Sequence, residues 1–479
     1  MEVLSGKIDK DLLALDKALK INMNFDIHTK EIITGEKRAK LYFVNAFTKD
    51  EILEKVLVRL AFIKKKDICK CKNITEFCQR YISYAECSHE KDVKMICLSV
   101  LSGATAMVID GFDEAVIIDC RSYPSKSIEE PDSDRVLRGS HDGFCETLMV
   151  NAALIRRRLR DTDLIIKNMK AGKRSNTDLF VCYLEDKVDK KSLNVLVNKI
   201  KAIDVNTLSM SQQSLAECLL PKQWYNPFPK IRYTERPDTV TATVAEGNIV
   251  VMIDNSPCAM IIETSIFDFI QNSNDYYFPP IIGSYLRYVR MIVFLLTMIT
   301  TPVWYLFIIN PQWIPTWLDF IRIEQSVSLP VIFQLLLVEL VIDALKLASL
   351  NTPNSLNASF SVIGALVLGQ FAVDAKWFVS EVVLYMAFVA VANYSQPSFE
   401  LGYAFKFSRV FLLIMTALLN VYGFIIALIL IVVMIATTKT VTGKSYLYPL
   451  FPFDKNAVKS LLIRRNIQNS KGQNEEKIS

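Results

Sequence analysis

The distribution of charge along the chain constrains its fold more than any other feature. Up to about Arg290, charged side chains occur at ordinary intervals, whereas several long stretches beyond Met291 contain none. One of these stretches, Met291–Ile309, approaches the roughly 20 apolar residues that a helix needs to cross a bilayer. The pattern predicts a soluble N-terminal region followed by a bundle of transmembrane helices.

Basic and aromatic residues predict the orientation of the first span. Arg287 and Arg290 precede it, and Trp304 and Tyr305 lie near its end, as expected of a helix that begins in the cytosol. The tail after the last apolar stretch is rich in lysine and arginine, which indicates a cytosolic C-terminus. Because both termini are then cytosolic, the number of crossings is even. We predict four, with six as the alternative.

The second apolar stretch, Val331–Leu350, contains the charged residues Glu339, Asp343 and Lys346. Their spacing of one helical turn places all three on one face of a helix. Charges at membrane depth are costly and usually face the interior of a bundle or water. Two interpretations stay open: the three residues form an ion-pair cluster between helices, or they line an ion path.

The remaining apolar stretches allow more than one topology. Ser361–Asn393 is interrupted by Asp374 and Lys376, so it can form one long helix, two spans or a re-entrant hairpin. Val410–Thr438 is uncharged and is long enough for one tilted helix or two short ones. The transmembrane domain is expected to occupy residues 284–450, with a basic cytosolic tail at 451–479.

The charged region is predicted to contain two α/β subdomains, at residues 1–125 and 126–283. In the first, the patterns predict a strand at Lys40–Val44, helices at Asp50–Ile63 and Val93–Leu101, and a hairpin formed by Ala104–Asp110 and Glu114–Cys120. In the second, they predict strands at Leu179–Leu184, Ile249–Ile253 and Cys258–Ile262 and a helix at Ser192–Ile203.

A further helix is predicted to begin after Asp142, which would cap it, with Glu146 in its first turn. Its apolar stripe consists of Phe144, Leu148, Ala152, Ile155 and Leu159, and it ends in Arg156, Arg157 and Arg158. The simpler interpretation places these cations on a solvated face, where they complement the helix C-terminus. The alternative is contact with lipid phosphate or with another subunit.

No residues predict an enzyme, a metal site or a cofactor. The net charge of +5 includes no basic block that would indicate a nucleic-acid partner. All ten cysteines lie between Cys69 and Cys258, and the N-terminus lacks the apolar core of a signal peptide. We therefore expect free thiols in a reducing cytosol. No glycine-rich phosphate loop of a common type is present.

Several long motifs resemble those of the GerA-type spore germination proteins. The resemblance runs from about Leu41 to Phe453. The first motif contains Arg138, Gly139, Gly143, Phe144, Glu146, Asn151 and the arginines at 156, 157 and 158. The others are Thr234–Asp238, Asp275–Tyr277, Val362–Gln370 and Tyr446–Leu450.

The resemblance implies a function that the residues alone do not prove. In this family, the A subunits lie in the inner membrane of spores and are thought to form a pentameric channel for monovalent cations. Their partners are B-type subunits or a small membrane protein. Applied to this sequence, it implies a pore lined by Ser361–Val373, with Val362, Leu366, Leu368 and Gln370 along it. The alternative is a membrane scaffold or receptor subunit that conducts nothing.

Overall fold

The computed structural model describes residues 2–71, 73–82, 86–123, 134, 136, 139–221, 223–272, 274–323, 329–351 and 372–463. These residues divide into two compact units, one within Met1–Lys222 and Ile231–Glu263, the other within Gln223–Lys230 and Thr264–Ser479. The first contains both sheets and the second contains the long apolar helices. We call them the sheet unit and the helical unit.

The first half of the sheet unit is built on an antiparallel sheet with the strand order β1-β2-β4-β5-β3. The strands are β1 Ile27–Thr34, β2 Lys37–Val44, β3 Cys87–Glu90, β4 Thr105–Ile109 and β5 Ala115–Ile118. The helices are α1 Ile8–Ala18, α2 Asp50–Ala61, α3 Lys65–Ile68, α4 Ile74–Tyr81 and α5 Val93–Leu101. Helices α1 and α5 cover one face, and α2 and α4 cover the other. Consequently every residue of β4 and β5 is buried.

The second half repeats this topology, with the strand order β6-β7-β9-β10-β8. Its strands are β6 Leu164–Ala171, β7 Thr177–Leu184, β8 Arg232–Thr234, β9 Ile249–Ile253 and β10 Ala259–Ile262. Its helices are α6 Leu148–Arg158, α7 Lys190–Lys201, α8 Ser211–Leu219 and α9 Pro237–Ala245. Each half thus begins with a helix and two paired strands and ends with a helix and two more paired strands. The prediction of two α/β subdomains is confirmed.

The predicted elements with dense apolar patterns are present, whereas the first strand of each sheet was not predicted. Helix α5 has the predicted bounds, and the predicted hairpin is the antiparallel pair β4 and β5. Strands β1 and β6 lie at sheet edges. Half of the residues in β1 are exposed, so this strand lacks the apolar run that marks a buried one.

The helical unit contains helices of very different lengths. They are α10 Asn274–Tyr277, α11 Pro280–Ile309, α12 Val331–Asn351, α13 Ala372–Asp374, α14 Ser380–Tyr394, α15 Phe399–Thr437 and α16 Lys455–Leu462. Among the described residues, two of them, α11 and α15, are long and apolar enough to cross a membrane. The shorter α14 is also apolar, and α12 carries the three predicted charges. The prediction of an apolar helical part after the sheets is confirmed.

Helix α15 is broken at Asn420, whose φ of 52° is non-helical. A Cβ atom placed on Gly423 would lie 1.9 Å from the carbonyl oxygen of Met415, although eight residues of a straight helix span about 12 Å. The chain therefore turns sharply at Asn420. Asn310, which follows α11, donates to the Asn420 side chain at 2.7 Å and accepts from it at 3.0 Å. For Val410–Thr438 we predicted either one tilted helix or two short ones. The structure has two shorter helical arms, which meet at Asn420.

Replacing Gly423 with alanine is expected to destabilise the helical unit, because the new methyl group would collide with a backbone oxygen that the turn holds in place. Overpacking of this kind costs about 1–3 kcal/mol or more. Gly402→Ala is the matched control, since its methyl group would meet only the end of the Gln396 side chain, at 2.8 Å. The thermal unfolding midpoint in detergent should fall for the first variant and stay close to wild type for the second. Equal midpoints would contradict the sharp turn.

Candidate functional site

Four charged side chains from α12 and α15 are buried against one another inside the helical unit. Glu339 is 4% exposed, Lys406 7% and Arg409 0%, and Asp343 is partly buried. We call these four residues the charge cluster. Ionised groups this deeply buried require partners, because the loss of hydration costs several kcal/mol for each ion.

Arg409 binds the two neighbouring helices at once. Its Nε donates to Glu339 Oε1 of α12 at 2.6 Å. Its Nη1 donates to the backbone oxygen of Thr297 in α11 at 2.8 Å. One guanidinium group from α15 therefore joins three helices, a use that suits its planar set of donors.

Lys406 lies one turn before Arg409 and completes the pairing of the carboxylates. Its Nζ donates to the Asp343 carboxylate and lies 3.7 Å from Glu339 Oε2. The backbone oxygen of Glu339 is 3.4 Å away. Two carboxylates and two cations give the cluster no net charge, which reduces the cost of burying it.

Lys346 lies on α12, like Glu339 and Asp343, but outside the charge cluster. Its Nζ is 5.5 Å from the ring centroid of Tyr394 and 5.4 Å from that of Tyr403, which is cation–π geometry. The structure thus brings together Glu339 and Asp343, two of the three predicted charges, and gives Lys346 different neighbours. Lys406 and Arg409 were missed, because they precede the uncharged stretch. Lys406 and Arg409 are three residues apart, and Glu339 and Asp343 are four apart, so each pair lies on one face of its helix. Two cations with nearly the same spacing as two carboxylates are the signal that could have found them.

A small cavity of about 40 Å³ lies beside the cluster. Its lining includes Lys346, Asn393, Gln396, Tyr403 and Lys406. Within the described part of the chain, Asn393 Oδ1 and both amide atoms of the Gln396 side chain are buried without a hydrogen-bond partner. Polar groups around a space of this size can hold water. The predicted pore residues Val362, Leu366, Leu368 and Gln370 lie outside the described residues.

In the sheet unit, the predicted cap of α6 is wrong. The helix begins at Leu148, and Leu148 N donates to the side chain of Asp254, 106 residues further along the chain, at 3.3 Å. Asp142 instead accepts from Arg158 Nη2 at 2.6 Å. The side chain of Asn151 accepts from Cys145 N at 2.9 Å and donates to Cys145 O at 2.5 Å, which fixes the preceding loop.

The solvated-face interpretation is wrong for Arg156, whose side chain is fully buried. Its Nε donates to Asp26 Oδ2 at 2.8 Å, and its Nη2 donates to Asp26 Oδ1 and Asn24 Oδ1, both at 3.1 Å. Asp26 and Asn24 precede β1, so this arginine ties the two halves of the sheet unit together. Arg157 is exposed, with its guanidinium carbon 4.6 Å from the ring centroid of Tyr123.

Two motifs that are far apart in the sequence meet around Arg236, which is fully buried. Its Nη2 donates to Ser140 O at 3.0 Å and to Asp238 Oδ2 at 2.6 Å. Phe144 N donates to Glu235 O at 2.9 Å. Among the other motif residues, Gly143 and Phe144 are buried, Glu146 is exposed, and Gly139 has a φ of 121°. Arg138 lies outside the described residues. These contacts show that the motifs position loops of the sheet unit.

A family model described as the Bacillus/Clostridium GerA spore germination protein matches residues 14–476. The chain belongs to the GerA family. It is 35% identical to stage V sporulation protein AF of Bacillus subtilis (strain 168), over 92% of this chain and 89% of that protein. It is 26% identical to spore germination protein KA of the same organism, over 96% and 85% of the two chains. The GerA resemblance predicted from the motifs is confirmed.

A further curated protein and a solved structure are also similar to this chain. Spore germination protein A1 of B. subtilis is 30% identical, over 78% of this chain and 77% of that protein. The crystal structure of the N-terminal domain of the A subunit of the Bacillus megaterium germinant receptor GerK3 has a TM-score of 0.43 and 19% identity, and covers 54% of this chain and 96% of that one. The names of the curated relatives describe germination and sporulation proteins rather than enzymes.

Particular residues of this GerA-family chain resemble the stage V sporulation protein AF type. They are the acidic run Glu129–Asp132 and Ser140, which stands where receptor A subunits usually have proline. The 35% identity to that protein agrees with this assignment. The chain also departs from the family resemblance at Thr442–Ser445, which stands in place of the usual Ser-Phe-Gly-x-Pro ahead of Tyr446.

Proposed function

We propose that this chain is a membrane subunit that acts in bacterial spore germination as part of an oligomeric channel for monovalent cations. The family supplies the biological setting, since its relatives are named for germination and sporulation. In this proposal the helical unit spans the inner membrane of the spore and the sheet unit lies in the cytosol. Opening of the channel releases cations from the spore core.

The charge cluster is the observation that carries the proposal. Ionised residues on apolar helices are rare and are characteristic of ion pathways and proton relays. Here Glu339 and Arg409 are almost completely buried, and a cavity with room for water lies beside Lys406. Buried charge next to polar space is the arrangement expected close to an ion path.

The cluster also fixes the helix that precedes the predicted pore. Helix α12 ends at Asn351, ten residues before the pore segment Ser361–Val373 begins, and Arg409 holds α12 against α11 and α15. Val362, Leu366 and Leu368 would form an apolar constriction that closes by dewetting, with Gln370 beyond it. A shift in the cluster would then move the start of the pore segment.

An oligomer follows from this arrangement, because one pore segment per chain cannot enclose a pore. Closed rings of identical subunits satisfy this need, and the family resemblance implies five copies. Exposed apolar side chains on α11 and α15, such as Leu295 and Leu418, would face lipid or a neighbouring copy. Partners would be B-type receptor subunits or a small membrane protein, as the resemblance implies.

The alternative function is a scaffold or receptor subunit that conducts nothing. The observation that favours it is the closed pairing of the cluster, since Glu339 and Asp343 already bind cations of their own chain. Internal salt bridges of this kind stabilise a bundle without forming a path. The two functions differ in one measurable property, which is ion flux.

Replacing Leu366 with serine is expected to make spores leak potassium, because a polar side chain would keep an apolar gate hydrated. Potassium release from dormant spores would be measured before any germinant is added. Leu418→Ser is the matched control, since it makes the same change at an exposed position of α15. With both variants present at wild-type levels, normal potassium retention in the Leu366 variant would count against the channel.

A further inference from the structure

The segment Gln223–Lys230 belongs to the helical unit. The sequence pattern had predicted that it lies in the second α/β subdomain, at residues 126–283. Phe228 is buried in a core of that unit, 6.0 Å from the ring centroid of Phe405 and 6.5 Å from that of Tyr446. The Tyr446 hydroxyl donates to Pro229 O at 2.6 Å. We call residues 223–230 the anchor segment.

The anchor segment is attached to the point where an apolar helix ends. Asn226 Nδ2 donates to Thr438 Oγ1 at 2.7 Å, and Thr438 directly follows the last residue of α15. The arm of α15 that follows the turn at Asn420, residues 421–437, is uncharged and about as long as a membrane span requires. Its end therefore marks the level of a bilayer surface. Trp224, two residues before Asn226, must therefore lie near that level.

Trp224 and Tyr225 present large aromatic surfaces that the chain itself leaves uncovered. Trp224 is 96% exposed and Tyr225 is 60% exposed, and their rings pack edge to face at 6.3 Å. Tryptophan and tyrosine are enriched where membrane proteins meet lipid headgroups, since each ring has an apolar body and a polar atom.

The loop after α15 has the same character. Phe451 and Phe453 are exposed, and Lys439 adds a positive charge that would suit anionic headgroups. This loop packs on the anchor segment through Tyr446. Aromatic and basic side chains from two segments thus occupy the same end of the helical unit.

We propose that Trp224 and Tyr225 insert into the headgroup region of the bilayer, so that the anchor segment is a membrane-interface contact. The partner is a phospholipid surface. The inference does not depend on ion conduction, because it needs only that the second arm of α15, residues 421–437, crosses the membrane.

Quenching of tryptophan fluorescence by brominated lipids tests the proposal in liposomes containing the full-length protein. The lipids would carry bromine either near the headgroup or near the end of the acyl chain, and acrylamide would report exposure to water. The difference between wild type and Trp224→Phe isolates the emission of Trp224. Trp317→Phe, a change at another exposed tryptophan, is the control that should preserve the Trp224 contribution.

The proposal predicts that Trp224→Phe removes a component quenched strongly by the shallow bromolipid and weakly by the deep one. A component quenched by acrylamide and by neither lipid would place Trp224 in water and overturn the proposal. A component that no reagent quenches would indicate that protein covers Trp224, and would overturn it as well. Because Trp224 is exposed, its replacement by phenylalanine should leave the fold intact.

Discussion

Replacing Glu339 with glutamine is expected to lower the free energy of unfolding of the helical unit by about 3–5 kcal/mol. The substitution keeps the shape of the side chain but removes the negative charge that Arg409 contacts at 2.6 Å. Lys406 would keep the carboxylate of Asp343, whereas Arg409 would lose its carboxylate partner. A buried cation without a counter-charge accounts for most of the cost.

Two further variants make this prediction specific. Lys346→Gln should cost only about 0.5–1 kcal/mol, because it removes cation–π contacts and no buried pair. The double replacement of Glu339 and Arg409 by glutamine should recover stability relative to Glu339→Gln, since it removes both members of the pair. Thermal unfolding in detergent measures all three. If Glu339→Gln is no more harmful than Lys346→Gln, the cluster does not hold the helices together.

Replacing Arg156 with methionine is expected to destabilise the sheet unit by a similar amount, about 3–5 kcal/mol. Asp26 is 1% exposed and accepts two hydrogen bonds from Arg156. Without the arginine, its carboxylate would be buried and uncompensated at the junction of the two halves. Ala153 of the same helix packs in the core of the first half, so the damage should reach both sheets.

The neighbouring residue offers a matched control. Arg157→Met makes the same chemical change one position further along α6, where the side chain is exposed and contacts only the Tyr123 ring in the described structure. We expect a loss of at most about 1 kcal/mol. The full-length protein would be heated in steps, and protease cleavage of the sheet unit would report its unfolding. The unfolding temperatures would separate the two variants. Similar unfolding temperatures would show that Arg156 is not the link between the halves.

Local patterns were enough to predict the elements at the centre of each sheet. Strands such as Ile249–Ile253 are continuous apolar runs, because both faces of the sheet are covered, and helix Val93–Leu101 has a clear apolar stripe. Contacts between distant residues were not predictable in this way. The N-terminus of α6 is bound by Asp254 rather than by Asp142, and nothing near Asp142 in the sequence indicates that partner.

The candidate site shows the same limit in another form. Glu339 and Asp343 stood out because charge is rare in an apolar stretch. Their partners Lys406 and Arg409 did not, because both precede the uncharged run and resemble the basic flank of a span. The anchor segment was assigned to the wrong unit for a related reason. Its sequence has no apolar run, and only the packing of Phe228 and Tyr446 places it among the helices.

The internal repeat of the sheet unit was also invisible in the sequence. The two halves share the order of helices and strands and the order of strands within each sheet, yet the residues that form equivalent elements differ. Strands β2 and β7, for example, read Lys-Arg-Ala-Lys-Leu-Tyr-Phe-Val and Thr-Asp-Leu-Phe-Val-Cys-Tyr-Leu. Both satisfy the same packing requirement with different apolar residues, which a single sequence does not reveal.

The measurement that tests the central proposal most directly is potassium efflux from liposomes containing the purified protein. Wild type and Leu366→Ser would be compared, so that a gate closed in the absence of partner subunits does not hide the pore, and chloride efflux would be followed in parallel. We predict potassium efflux that is faster for Leu366→Ser than for wild type and that exceeds chloride efflux in the variant. No potassium efflux from a Leu366→Ser protein with a normal unfolding midpoint would contradict the channel and favour the scaffold.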